Sequence, residues 1–303
     1  MNKTKFHGII PPMPTIFKED GSFDWEGNKT LIDFFIKKGV HGIFVLGSLG
    51  EFAHLSFNER KEFAKFAVEY VNKRVPILIG TGSTNSEEVI ELTKHAKEIG
   101  ADGVVVVSPY YVKLSDEKLY QHFATVAKSV DIPMILYNFP DVTGQNLYPS
   151  VVAQLAIDFP NIVGIKDTID SISHIRDVIL EAKAVRPDFS VFAAYDDHLF
   201  PTLAMGGDGA IPGIANFAPH IHVNIYKNFV SGNVQESINW HRKLLKLLRI
   251  YDLDKPFIGI LKEACKLCGV PISTYVRQPA GRAEKSAIEN LKALLKEVGL
   301  INE

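Results

Sequence analysis

Eight short apolar runs, each separated from the next by a segment of helical spacing, constrain this chain more than any other feature. The runs occupy residues 9–17, 42–46, 76–80, 103–108, 133–137, 162–166, 190–194 and 209–212. They are dense in Val and Ile with little alternation, which marks strands covered on both faces of a parallel sheet. Trp25, Leu31, Ile32 and Phe35 lead into the second run, and Phe63, Phe66, Ala67 and Tyr70 into the third. Val89, Leu92, Ala96 and Ile99 precede the fourth, with Ser86 and Glu87 suited to that helix's first turn. Gly39 and Gly100 stand where helix ends favour glycine.

Eight such units predict a (β/α)8 barrel over residues 1–230. Residues 231–303 predict a helical extension packed on it, with helices over 234–251, 256–268 and 284–298. The rival architecture is a doubly wound open sheet, but no Gly-x-Gly-x-x-Gly follows the first run to support a dinucleotide fold. With 303 residues, 46% of them hydrophobic and 22% charged, one large core is well supplied. A net charge of −2 leaves no footprint for nucleic acid or an anionic membrane surface. No apolar run approaches the ~20 residues that span a bilayer. The stretch MNKTKFHGIIPPMP lacks the long apolar region and cleavage site of a leader. Two cysteines are too few for a disulfide framework, so a cytoplasmic protein is expected.

In a barrel, reactive groups sit at the C-terminal ends of the strands. That rule singles out Asn161-Ile162-Val163-Gly164-Ile165-Lys166-Asp167-Thr168, a core strand ending in lysine. Lysine is rarely buried unless something pairs with it. Desolvation disfavours a charged amine, and a neutral one adds to a carbonyl to give a Schiff base. The plainer reading pairs Lys166 with Asp167 or with an acid across the barrel, and this stretch alone leaves both open. Tyr137, ending the neighbouring run, has a phenol able to act as acid and base, or it is a core aromatic with its hydroxyl at the rim. The Gly47-Ser48-Leu49-Gly50 turn offers backbone amides for a carboxylate.

Taken together, GSLGE, SPYY, YNFP, GIKDT and AYDD resemble the dihydrodipicolinate synthase/N-acetylneuraminate lyase family of pyruvate-dependent class I aldolases and lyases. The resemblance runs in order through the chain, including GGDGAI and the helical tail. It implies a (β/α)8 barrel with three C-terminal helices, assembled as a homotetramer built from two dimers. It implies that Lys166 forms the Schiff base with pyruvate or a 2-keto acid, that Tyr137 is the acid/base phenol and that Ser48 relays protons to it. It further implies that Tyr111 crosses into the neighbouring subunit's site, and that the amides of Ser48 and Leu49 hold the pyruvate carboxylate. Ile211, at the end of GGDGAI, joins the substrate-binding set. The imine serves as the electron sink, so the resemblance implies neither cofactor nor metal, and the partner is a small molecule.

Departures from the family's pattern narrow the substrate. Synthases usually read G-T-T-G-E, where this chain has Leu49 for the second hydroxyl. They also carry an arginine two residues after the YN-x-P proline to bind the carboxylate of aspartate semialdehyde, and here that place holds Val142. Tyr195-Asp196-Asp197 resembles the segment by which lyases hold sugar hydroxyls, and carboxylates accept from vicinal hydroxyls. Asp196 and Asp197 equally suit a helix cap and first turn. The expected reaction is reversible cleavage of a 2-keto-3-deoxy sugar acid of gluconate or pentonate type. The alternatives are dihydrodipicolinate synthesis and a keto-acid-binding barrel without turnover. Cys265-x-x-Cys268 reads as helix packing rather than zinc ligation. His220-Ile221-His222 sits at a helix start and supports a metal-dependent aldolase only weakly. The mixed charges of 284–296 read as a solvated helix face.

Overall fold

A computed structural model describes residues 6–302; residues 1–5 of the stretch read above for a leader, and Glu303, lie outside it. Each strand is reached through a helix that carries the chain back, so every pairing in the sheet is parallel. The strands are β1 (Gly8–Ile9), β2 (Ile43–Val45), β3 (Ile77–Gly80), β4 (Gly103–Val107), β5 (Met134–Asn138), β6 (Ile162–Asp167), β7 (Ser190–Ala193) and β8 (Gly209–Ala210). Their order around the sheet is β1-β8-β7-β6-β5-β4-β3-β2. Beyond β1 the Phe44 N–H donates to the Pro11 carbonyl (3.0 Å) and the Met13 N–H to the Phe44 carbonyl (2.8 Å), which closes the ring. The expected barrel is therefore present. Its first strand is far shorter than the run 9–17, because Pro11, Pro12 and Pro14 have no N–H to continue a ladder.

The strands are apolar throughout because both faces are covered. Ile10, Phe44, Leu78, Val105, Ile135, Val163 and Phe192 fill the barrel interior. Ile43, Val45, Ile77, Ile79, Val104, Val106, Leu136, Ile165 and Val191 pack outward into the larger core shared with the helices. The helix signals hold locally. Ser56 and Glu59 form a capping box before Phe57–Val71, Asn85 caps Ser86–Glu98, and Gly39 and Gly100 take φ of 77° and 83° after their helices.

One irregularity decides the orientation of Lys166. Met134 pairs with Ile162, but the next residue, Ile135, pairs with Gly164, so β6 carries one extra residue at Val163. Side chains alternate along a strand, and a one-residue slip exchanges the faces. Ile162 and Ile165 both face the helices although an odd number separates them. Lys166 therefore pairs with Tyr137 and Phe192, two interior residues, and turns inward with them. Without the slip it would face the helices. Glycine is required at the bulge: a Cβ on Gly164 would lie 2.5 Å from the Ser190 carbonyl oxygen.

Past β8, helix Pro219–Val230 returns along the barrel, and Val234–Leu245, Ile258–Leu267 and Lys285–Glu297 follow. The helix expected over 234–251 stops at Leu245 and resumes as a 3-10 turn at Leu248–Asp252. That turn buries Ile250 and carries Tyr251 to the cavity described below. Cys265 lies in the core with its thiol donating to the Asn216 carbonyl (3.3 Å), a packing role. Among the described residues no helix is long and apolar enough to cross a membrane. Because the bulge tolerates only glycine, Gly164→Ala should lower the melting temperature and slow every reaction of the Lys166 amine. Melting by calorimetry together with reaction of Lys166 with a keto acid checks this, and a variant indistinguishable in both would remove the bulge from the explanation.

Candidate active site

The C-terminal ends of the strands open into a cavity of about 400 Å³. Ser48 and Leu49 line it from the turn after β2, Tyr137 from β5, Lys166 from β6 and Thr168 just past it, Tyr195 and Asp196 from the loop after β7, and Ile211 and Gly213 from the segment after β8. Seven of the nine residues singled out in the sequence (Ser48, Leu49, Tyr137, Lys166, Tyr195, Asp196 and Ile211) thus share one space.

Lys166 is 4% exposed. Its Nζ lies 3.9 Å from the centroid of the Tyr137 ring and 5.2 Å from that of Phe44, so aromatic faces surround it. The pairing with Asp167 allowed by the sequence does not occur. Asp167 points to the other face of β6, where it accepts from Asn138 Nδ2 (2.9 Å) and lies 2.9 Å from His174 Nδ1. Burial alone would lower the His174 pKa, but the Asp167 carboxylate outweighs it and holds the imidazole above its usual value. Among the described residues Lys166 has no carboxylate partner. The Tyr137 hydroxyl lies 3.4 Å from Ser48 Oγ, a long contact of the kind that tightens on substrate binding.

The turn after β2 is shaped for an anion. Among the described residues the N–H groups of Ser48 and Leu49 donate to no protein acceptor, and both residues line the cavity. A Cβ on Gly47 would meet the Phe44 ring at 2.6 Å, and one on Gly50 would meet the Leu46 nitrogen at 2.9 Å. Glu51 follows with φ of 56°, a conformation that needs outside support. Lys262 supplies it from the third helix beyond β8. Its Nζ lies 2.5 Å from Glu51 Oε1 and donates to the Tyr275 carbonyl (2.8 Å), and both side chains of the ion pair are completely buried. The Arg277 N–H donates to Glu51 Oε2 (3.0 Å). No local pattern in the sequence announces this pair, whose members stand 211 residues apart.

The rest of the wall is mixed. The Tyr195 hydroxyl donates to Asp141 Oδ2 (3.1 Å), and burial together with that carboxylate pushes its pKa up to about 12. Asp196 Oδ1 accepts from the Ile214 N–H (3.0 Å) and Oδ2 from the Tyr251 hydroxyl (2.5 Å), and His222 Nε2 lies 2.9 Å from Oδ1. Asp197 is half-buried and does not line the cavity. Nor does Tyr111, which is 97% exposed with φ of 75°, a strained conformation for a bulky residue. Val142 is exposed on the short helix Pro140–Thr143, while its neighbour Asp141 lines the cavity. Sequence reading missed Asp141, Thr168, Tyr251, Lys255 and Phe257 as wall residues. Thr168 stood inside GIKDT and Asp141 directly after YNFP, whereas the other three lie in or between the expected C-terminal helices, where no motif was read.

Comparison with known proteins places this geometry. A profile described as the dihydrodipicolinate synthetase family matches residues 5–298. The chain belongs to that family. It is 50% identical over 295 residues to YagE of Escherichia coli K12, provisionally named a 2-dehydro-3-deoxy-D-gluconate aldolase, covering 97% of this chain and 98% of that one. It is 45% identical to YjhH of the same organism, provisionally named a 2-dehydro-3-deoxy-D-pentonate aldolase, over 98% and 99% of the two chains. The crystal structure of YagE with pyruvate superposes with a TM-score of 0.96 over 97% of this chain and 99% of that one. A dihydrodipicolinate synthase from Thermotoga maritima superposes at 0.93 with 34% identity, over 98% of this chain and 100% of that one.

The buried ion pair makes a stability test available. Removing one partner strands the other's charge, which costs about 3–5 kcal/mol in comparable buried pairs. Lys262→Met should destabilise the protein by that order in urea unfolding, and Glu51→Gln added to it should recover part of the loss. A single variant as stable as the parent would show that the pair holds nothing in place.

Proposed function

We propose that this protein is a class I, pyruvate-dependent aldolase that cleaves or forms a 2-keto-3-deoxy sugar acid of gluconate or pentonate type. The observation that carries the reading is Lys166: a buried amine without a carboxylate partner among the described residues, set against Tyr137 in a cavity also lined by free amides. In the cleavage direction Lys166 Nζ adds to the C2 carbonyl and water leaves, giving an imine. The substrate carboxylate rests on the amides of Ser48 and Leu49. The Tyr137 phenolate takes the proton of the C4 hydroxyl, with Ser48 relaying it, and the C3–C4 bond breaks to an aldehyde and an enamine. Protonation at C3 and hydrolysis then return pyruvate and the free amine. Ile211, Tyr195 and Asp196 shape the space for the aldehyde half, with Asp197 outside the cavity wall. The subunits assemble as a homotetramer in the cytoplasm, and Tyr111, fully exposed in one chain, completes the neighbouring subunit's site.

Substrate electrostatics favour the aldolase over the synthase. Aspartate semialdehyde would bring a second carboxylate into a wall that already holds Asp141 and Asp196, with Val142 in place of an arginine. Losing a charge-assisted hydrogen bond of that kind costs about 1.5–3 kcal/mol, roughly ten- to a hundred-fold in affinity. One observation favours the synthase as a second reading: Lys255 reaches the cavity rim.

Two outcomes are expected. Borohydride with pyruvate should add mass at Lys166, and Lys166→Ala should lose both trapping and turnover, while mixing it with inactive Tyr111→Phe chains restores some activity. Retained turnover in Lys166→Ala would end the imine mechanism, and inert mixtures that demonstrably exchange subunits would end the shared site. In a substrate panel, kcat/KM for 2-keto-3-deoxygluconate or its pentonate analogue should far exceed that for condensing aspartate semialdehyde, and the reverse order would install the synthase reading.

A further inference from the structure

The wall residue with the least obvious purpose is Tyr251. It arrives from the 3-10 turn Leu248–Asp252, beyond the barrel strands, and its ring lies edge-on to Phe257 with 5.1 Å between centroids. Its hydroxyl donates to Asp196 Oδ2 at 2.5 Å, the short distance of a bond to a carboxylate. Space is reserved for that hydroxyl: a Cβ on Gly213 would lie 2.3 Å from the oxygen, so any side chain there would push the phenol aside. Both Tyr251 and Gly213 line the cavity that contains Lys166.

Asp196 itself is poorly placed to grip a substrate. Its side chain is 1% exposed, and the Ile214 N–H, the Tyr251 hydroxyl and His222 Nε2 already crowd its two oxygens. A carboxylate offers about four lone-pair positions; hydrogen bonds take one on each oxygen, and burial with the His222 ring against Oδ1 closes off the rest. The capacity to bind a hydroxyl passes instead to the phenol. A tyrosine whose only proton is committed elsewhere presents lone pairs alone, and so distinguishes a donor from an acceptor. Burial and the adjacent carboxylate hold the Tyr251 proton in place by keeping its pKa well above the ordinary phenol value.

We propose that Tyr251 is a specificity-determining residue whose phenolic oxygen, its proton held by Asp196, accepts a hydrogen bond from a hydroxyl of the aldehyde half of the substrate. Asp196 acts through it as a positioning residue. The inference rests on the aldolase reading above and refines it: the preferred aldehyde carries a free hydroxyl, and one lacking it leaves the phenol's lone pairs unmet in a confined space. Sites built to hydrogen-bond a substrate hydroxyl reject analogues lacking it far more strongly than apolar pockets distinguish sizes.

The test uses condensation with pyruvate of two aldehydes of equal carbon number, glyceraldehyde with its hydroxyls and propanal without. The parent protein should prefer glyceraldehyde in kcat/KM by at least about ten-fold. Tyr251→Phe keeps the ring and should still be trapped on pyruvate by borohydride, yet its preference should fall by about ten-fold, through glyceraldehyde rather than propanal. A parent preference near one overturns the inference whatever the variant does. Normal trapping in Tyr251→Phe with an unchanged preference overturns it as well. A parent protein that neither traps pyruvate nor condenses either aldehyde overturns the aldolase reading and this inference with it.

Discussion

The extra residue in β6 is the constraint on which the site depends. A parallel barrel has one inside and one outside, and strict alternation assigns each strand residue to one of them. Ile162 faces the helices, so unbroken alternation would send Lys166 among them too, an ammonium in a hydrocarbon layer with nothing to bond. The skip at Val163 reverses the assignment once, at a glycine, and from there the strand presents Lys166 beside Tyr137. A second consequence falls on the other face. Asp167 turns outward and finds Asn138 and His174, so its charge is satisfied away from the amine. One backbone irregularity thus separates a carboxylate from a lysine that is its neighbour in sequence.

The cavity combines two environments that aldol chemistry needs apart. Around Lys166 the wall is aromatic, with Tyr137 and Phe44 over the amine. On the same wall, the turn after β2 offers amides rather than charge, so a carboxylate placed there would need no ion pair that competes for the lysine. Farther along the wall, acidic and phenolic groups gather around Tyr195 and Tyr251. That distribution suits a substrate with an acid at one end and hydroxyls at the other.

The legible part of this structure was the part written in local periodicity. The eight runs, the glycines after helices and the barrel class could be read because each depends on residues a few positions apart. The motif residues were legible for a different reason, through resemblance, and the cavity collects most of them. The strand-end rule pointed Lys166 into the mouth, but the means by which it gets there was not legible. Ile162, Val163 and Ile165 look like a continuous apolar run whether or not a bulge lies among them, so the register shift that turns Lys166 inward left no mark in the sequence. The first strand was overdrawn because a run with three prolines remains extended while losing its ladder. The contributions of Tyr251, Lys255 and Lys262 were invisible, since each is made to residues far away in sequence, 55 positions for Tyr251 and 211 for Lys262, by residues that read locally as helix or loop.

The completely buried contact between Glu51 and Lys262 also bears on how such proteins can be recombined. A chimera that took residues 231–303 from another member of the family would carry one member of the pair and inherit the other. Unless the donor supplies a matching cation at 262, the crossover leaves the Glu51 carboxylate buried without its lysine beneath the turn that offers its amides to the cavity. The helical tail is therefore not an exchangeable module. Substitutions at 51 and 262 are bound to travel together, and a library that shuffles the two regions independently would lose its active members at that single junction.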